Sequence, residues 1–171
     1  VLLGLFVVAV VAAAYFVLLR GSTVTARIQV PEATSTIGTG SGAVAVSAGG
    51  TVIPWLPVPE EPPPPHLPIS EVPKGGRLAG KLREQALILG AAPRALRPYL
   101  ESSQVGETGI EVNLTSGIEL RFGDASQAAR KWKAAAAVLA DPSITALDYV
   151  DLQAPGRPAA YGSGHLLPPP S

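Results

Sequence analysis

The sequence predicts an α+β fold: an N-terminal transmembrane helix, then a mainly antiparallel sheet with two helices on one of its faces. Three observations predict it. Val1–Leu19 contains no charged residue. From Ala43 onward, short segments alternate apolar and polar residues with the period of a strand. Two longer segments, Arg77–Leu89 and Ala125–Ala140, instead place apolar residues at helical spacing.

Composition narrows the function classes. The 171 residues carry 13 basic and 13 acidic side chains, for a formal net charge of zero. A nucleic-acid surface needs concentrated positive charge, so no nucleic-acid partner is expected. There is no cysteine, which excludes disulfides and thiolate chemistry. There is no methionine either, at position 1 included, which predicts a native start further upstream. The length suits an anchor plus one domain of moderate size.

The elements follow in order. Residues 1–20 are the predicted transmembrane helix, "VLLGLFVVAVVAAAYFVLL" closed by Arg20. About 19 apolar residues are enough to cross a bilayer. Tyr15 and Phe16 stand near one end, where aromatic rings favour the interface. The competing reading is a signal peptide cleaved near Val24-Thr25-Ala26, whose apolar region is usually about 7–15 residues. Residues 21–42 read as a linker. "TVTARIQV" (Thr23–Val30) alternates like a strand, Pro31 stops it, and "EATSTIGTGSG" (Glu32–Gly42) is polar and Gly-rich.

The main domain is predicted over residues 43–162. "AVAVSAGGTVIP" (Ala43–Pro54) reads as a hairpin turning at Gly49-Gly50. Eight prolines follow between Pro54 and Pro68 inclusive, which predicts extended chain rather than sheet interior. That stretch reads as a stiff loop in preference to a PxxP ligand. In the first helix Leu78, Leu82, Ala86 and Leu89 share a face. Arg97–Gln104 reads as a strand. "GIEVNLTSGIELRFG" (Gly109–Gly123) reads as a hairpin in which Leu114 faces Ile118 across the loop Thr115–Gly117. Gly117 would take the left-handed position that such loops end on, and a two-residue loop would scramble the faces. The second helix has Asp124 as its N-cap and a stripe of Ala128, Trp132, Ala135 and Leu139. Trp132 is expected in the core. Arg130, Lys131 and Lys133 read as a solvated face. A last strand covers Leu147–Gln153, and residues 163–171 read as a disordered tail.

Chemistry is sparse. Gly38–Ala43 matches a loose dinucleotide pattern, but a hairpin follows where a helix must begin. The two histidines, His66 and His165, fall among prolines and in the tail, and neither supports a metal site or a catalytic triad. Asp148 and Asp151 lie three apart on a strand and so point to opposite faces, which precludes a general acid–base pair. Asp151 reads as a structural acceptor at a strand end. The expectation is no enzyme, no cofactor, no metal and no small-molecule substrate.

Several stretches resemble one family when taken together. "ALDYVDLQAPGRPA" (Ala146–Ala159) resembles the terminal strand of the bacterial cell-division protein FtsQ, called DivIB in some bacteria, with its Tyr-Val-Asp-Leu core at Tyr149–Leu152. "VSAGGTVIP" (Val46–Pro54) is similar to its opening hairpin and "HLPISEVPKG" (His66–Gly75) to the step before its first helix. "GIEVNLTSGIELRFGD" (Gly109–Asp124) is similar to the hairpin before its second helix. The resemblance covers about residues 43–162. It implies a non-catalytic, single-pass inner-membrane scaffold of the divisome, held by residues 1–19, with its main domain periplasmic or extracellular at the septum. Its partners would be FtsB- and FtsL-type proteins, and it would help control septal cell-wall synthesis. The family's last strand is an edge to which an FtsB strand adds, which implies Leu152, Gln153, Ala154, Gly156, Arg157, Ala159, Ala160 and Tyr161 as partner-binding residues, with Tyr149, Asp151, Trp132 and Gly117 structural.

Two departures accompany it. Only about 22 residues separate Arg20 from Ala43, where the family has a POTRA domain, so "TVTARIQVPEAT" would be a residual POTRA strand. Gln153 and Ala154 stand where well-known members carry a basic and then an aromatic residue. The alternative is a membrane-anchored extracytoplasmic interaction domain of another envelope process.

Overall fold

The computed structural model describes residues 31–38 and 42–167. The predicted span at 1–19 and the strand-like Thr23–Val30 lie outside the described residues. No described helix is long and apolar enough to cross a membrane.

Among the described residues nine strands form one sheet: β1 (Ser35–Ile37), β2 (Val44–Val46), β3 (Val52–Ile53), β4 (His66–Leu67), β5 (Leu100–Gly106), β6 (Gly109–Leu114), β7 (Glu119–Gly123), β8 (Ala146–Asp151) and β9 (Ala159–Leu166). Their spatial order is β3-β2-β1-β4-β5-β6-β7-β8-β9. Two helices accompany them, α1 (Gly80–Gly90) between β4 and β5 and α2 (Ala128–Leu139) between β7 and β8.

The sheet is mixed, which corrects the expectation of a mainly antiparallel sheet behind a transmembrane helix. β1/β4, β4/β5 and β7/β8 pair in parallel. Parallel neighbours need a crossover, and here α1 and α2 supply two of the three. The third is the Pro-rich stretch, which carries the chain from the β2–β3 hairpin back to the far side of β1.

β1 is a further correction. The segment read as a polar linker supplies a strand in the middle of the sheet, flanked by β2 and β4. Thr34, Ser35, Thr36 and Ile37 are all buried. Likewise His66-Leu67, inside the proline run, forms β4. The disordered tail is corrected too, because Ser163–Leu166 belongs to β9.

The β6–β7 hairpin has the expected loop. Leu114 N–H donates to Ile118 O and Gly117 N–H to Leu114 O, each at 2.9 Å. Gly117 has φ +88°, and the His165 imidazole lies 2.6 Å from where a Cβ would stand, so a side chain there would strain the backbone and have to displace the ring. A bulge near Glu111 shifts the register so that Ile110 meets Gly123 rather than Phe122.

The helices share one face of the sheet and touch each other, since Trp132 Nε1–H donates to Ile88 O at 2.7 Å. Trp132 is fully buried and its ring lies 4.9 Å from that of Phe122. Lys131, expected in solvent, is buried as well. Its ammonium donates to Phe122 O (2.8 Å), Asp124 O (3.1 Å) and Asp124 Oδ1 (2.8 Å), which satisfies a charge that burial would otherwise penalise. The Lys131 bond, helped by Ser126, holds the Asp124 carboxyl well below the usual range, at about 2. Asp124 is therefore not the N-cap. That position falls to Gln127, at φ 53°, and the helix starts three residues later than expected.

Candidate functional site: the C-terminal sheet edge

The chain leaves β8 at Asp151, turns through residues 152–158 and returns as β9, antiparallel to β8. Leu152 is fully buried in the core, so its side chain is not available to a partner. Gln153, Ala154, Gly156 and Arg157 are exposed in the turn. Asp151 Oδ1 accepts the Gln153 N–H at 2.9 Å and shapes the start of that turn. Of the residues implied by the resemblance, Ala159, Ala160 and Tyr161 alone lie on β9. Among the described residues no strand pairs with its outer edge.

The backbone directions along β9 follow from its neighbours. Leu152 N–H donates to Arg121 O, so Leu152 and Val150 turn their backbone groups toward β7. Tyr149 and Asp151 therefore face β9, opposite Tyr161 and Ala159. Ala160, between them, turns its N–H and C=O outward. At the far end Leu167 N–H donates to Thr145 O, which turns Leu166 outward in the same way.

The edge is interrupted between these points. Leu147 pairs with His165 and Tyr149 with Tyr161, so the single residue Asp148 opposes Gly162, Ser163 and Gly164. This is a bulge on β9, and Gly162 takes φ +86° within it. Asp148 Oδ1 accepts the Gly164 N–H at 2.8 Å. The carboxylate lies where a Cβ on Gly162 or Gly164 would stand. On the other side, Pro158 has no N–H to offer.

A ladder of side chains crosses the three terminal strands. Glu119 pairs with Arg121, whose guanidinium carbon lies 3.6 Å from the centroid of the Tyr149 ring. Tyr149 stacks on Tyr161 with ring centroids 4.9 Å apart. The Glu119 hydrogen bond raises the Arg121 pKa above its ordinary value, although partial desolvation works against it. Tyr161 ends the ladder half exposed, at 50%.

A second concave region lies beside the Pro-rich segment, a groove of about 960 Å³ bordered by Trp55, Pro57, Pro64, His66 and Glu101. Trp55 is 70% exposed on its rim. Among the described residues no group of three or more His, Cys, Asp or Glu could hold a metal ion.

Sequence reasoning missed Asp148, Gly162 and Gly164 as parts of the edge. Gly-Ser-Gly reads as flexible tail, and the signal of a bulge is visible only once Asp148 is known to lie across it. No protein-family model matches the chain, and no curated protein matches it either.

Proposed function

We propose that the chain is a non-catalytic, extracytoplasmic interaction module of the bacterial divisome, and that β9 receives a strand from an FtsB- or FtsL-type partner, so helping control septal cell-wall synthesis. The observation that supports it most is the terminal strand: eight residues, nearly all exposed, and unpaired among the described residues along one side. Strand addition uses main-chain hydrogen bonds for affinity and alternate side chains for specificity. Ala160 supplies the outward N–H and C=O, and Tyr161 supplies an exposed aromatic surface beside them.

The test is capture of the FtsB-type protein encoded in the same genome, with septal localisation of a tagged chain as a second readout. Ala160→Pro removes the outward donor and sets a ring against an incoming strand, while the bonds to β8 come from its neighbours. Capture should weaken about tenfold, the worth of a hydrogen bond plus some crowding, with melting little changed. Undiminished capture by this variant would remove β9 as the site. Deletion after Ala154 is a poorer test than the resemblance suggests. It would strip β9 from β8 and Leu167 from the core, so the fold would suffer with it.

A further inference from the structure

We infer that Asp148 selects the strand that docks on β9, favouring a partner with a lysine or arginine just beyond the residue that meets Tyr161. The inference rests on the reading of β9 as the partner edge and adds the chemistry of what it accepts. An exposed carboxylate on an inner strand would normally be screened from the next strand by the side chains of the strand between. Here that strand offers Gly162 and Gly164 opposite Asp148. The carboxylate lies over them, in the space their side chains would fill, and is exposed. Its negative charge therefore stands over β9 itself, within about one strand spacing, roughly 4.8 Å, of an added strand. A lysine or arginine stem spans that distance easily.

The local charge supports a cation. Asp148 has no ion-pair partner among the described residues and spends one oxygen on the Gly164 N–H. Arg121, on β7, is engaged with Glu119 and lies over Tyr149. The bulge also sets the register. Ala160 gives the outward bonds before it, so the partner's next residues pass beside Gly162–Gly164 and the carboxylate. An acidic residue at that point would meet like charge, which penalises the wrong partner as well as favouring the right one.

Two synthetic strand peptides of about ten residues test this, identical except for Lys or Glu at the position beside the bulge. On the native chain the Lys peptide should bind about fivefold more tightly, the scale of one exposed charge pair. The preference should fade near 1 M salt, where the screening length is about 3 Å. Asp148→Asn keeps an oxygen for the Gly164 N–H and removes the charge, so it should abolish the preference with melting preserved. Equal binding of the two peptides, binding of neither, or a preference that survives Asp148→Asn overturns the inference. Intact FtsB-type capture with no Lys preference sinks this inference alone. A Lys preference without such capture supports it and sinks the divisome reading instead.

Discussion

At one end of the sheet β3 contributes two residues, Val52 and Ile53, both buried. At the other end β9 contributes eight, nearly all exposed. The outer side of β3 is closed by the chain around Gly76. Val52 N–H donates to Gly76 O at 2.8 Å, and Thr51 bridges to Arg77. β9 has no such cover among the described residues. It is guarded by Pro158, by the Gly162–Gly164 bulge and by a carboxylate. Both edges avoid indiscriminate pairing, but by different means. A cover shuts an edge until the cover unfolds. A bulge and a proline only shorten it, and leave Ala160 with a donor and an acceptor that are unpaired among the described residues.

The largest test removes what both edges stand on. Trp132→Ala should cost about 3–5 kcal/mol in chemical denaturation, through lost burial, the lost contact with Phe122 and the lost indole bond to Ile88 O. Amide exchange should then rise at Val52 and Val150 together. A rise confined to one half would show that the two edges belong to separately unfolding units. Next in size is Gly162→Ala, which forces a side chain into φ +86° and into the Asp148 carboxylate. It should cost about 1–2 kcal/mol and unprotect the Gly164 N–H. If melting and exchange are both unchanged, the bulge is not a specified feature of the edge.

Acid should act on the β9 half through Asp124. Its folded pKa, about 2, lies below the ordinary 3.8, so its contribution is complete above about pH 4 and is lost as pH falls toward 2. The side chain is 57% exposed, so the loss should be no more than about 1 kcal/mol. Melts of the native chain and of Asp124→Asn across this window measure it, and the variant should lose that part of the acid dependence. The smallest effect belongs to the β3 half. The buried Ser35 hydroxyl has no hydrogen-bond partner among the described residues, so Ser35→Ala should raise stability by about 0.5 kcal/mol or leave it unchanged.

What could be read in advance depended on how much of each element is local. The β6–β7 hairpin was legible because its alternation, its loop length and Gly117 all lie within one short window. Trp132 was legible because the helical stripe around it is apolar. β1 was not, since "STI" sits among Ser, Thr and Gly and becomes a strand only because β2 and β4 bond to both sides of it. β4 was hidden by prolines for the same reason. Lys131 looks like surface in any window, and the Phe122 and Asp124 oxygens that let it be buried lie nine and seven residues away. At the edge, Ala160 and Tyr161 could be named beforehand, but the register that turns Ala160 outward and lays Asp148 across two glycines is a property of paired strands.

β4 also has a mechanical consequence. It is two residues long, yet it joins the three strands on the β3 side to the five on the β9 side. His66 pairs with Thr36 on one side and Ser102 on the other, and Leu67 pairs with Ile37. The sheet is therefore two plates meeting at a narrow joint, with α1 as the brace beneath it, in contact with β1, β4, β5 and β6. A partner tugging on β9 loads one plate directly and reaches the other through that joint and its brace. Force along the strand strains the β8–β9 bonds together, whereas force across it opens them one at a time. The direction of pull thus decides whether the edge peels away or the whole plate carries the load to the joint.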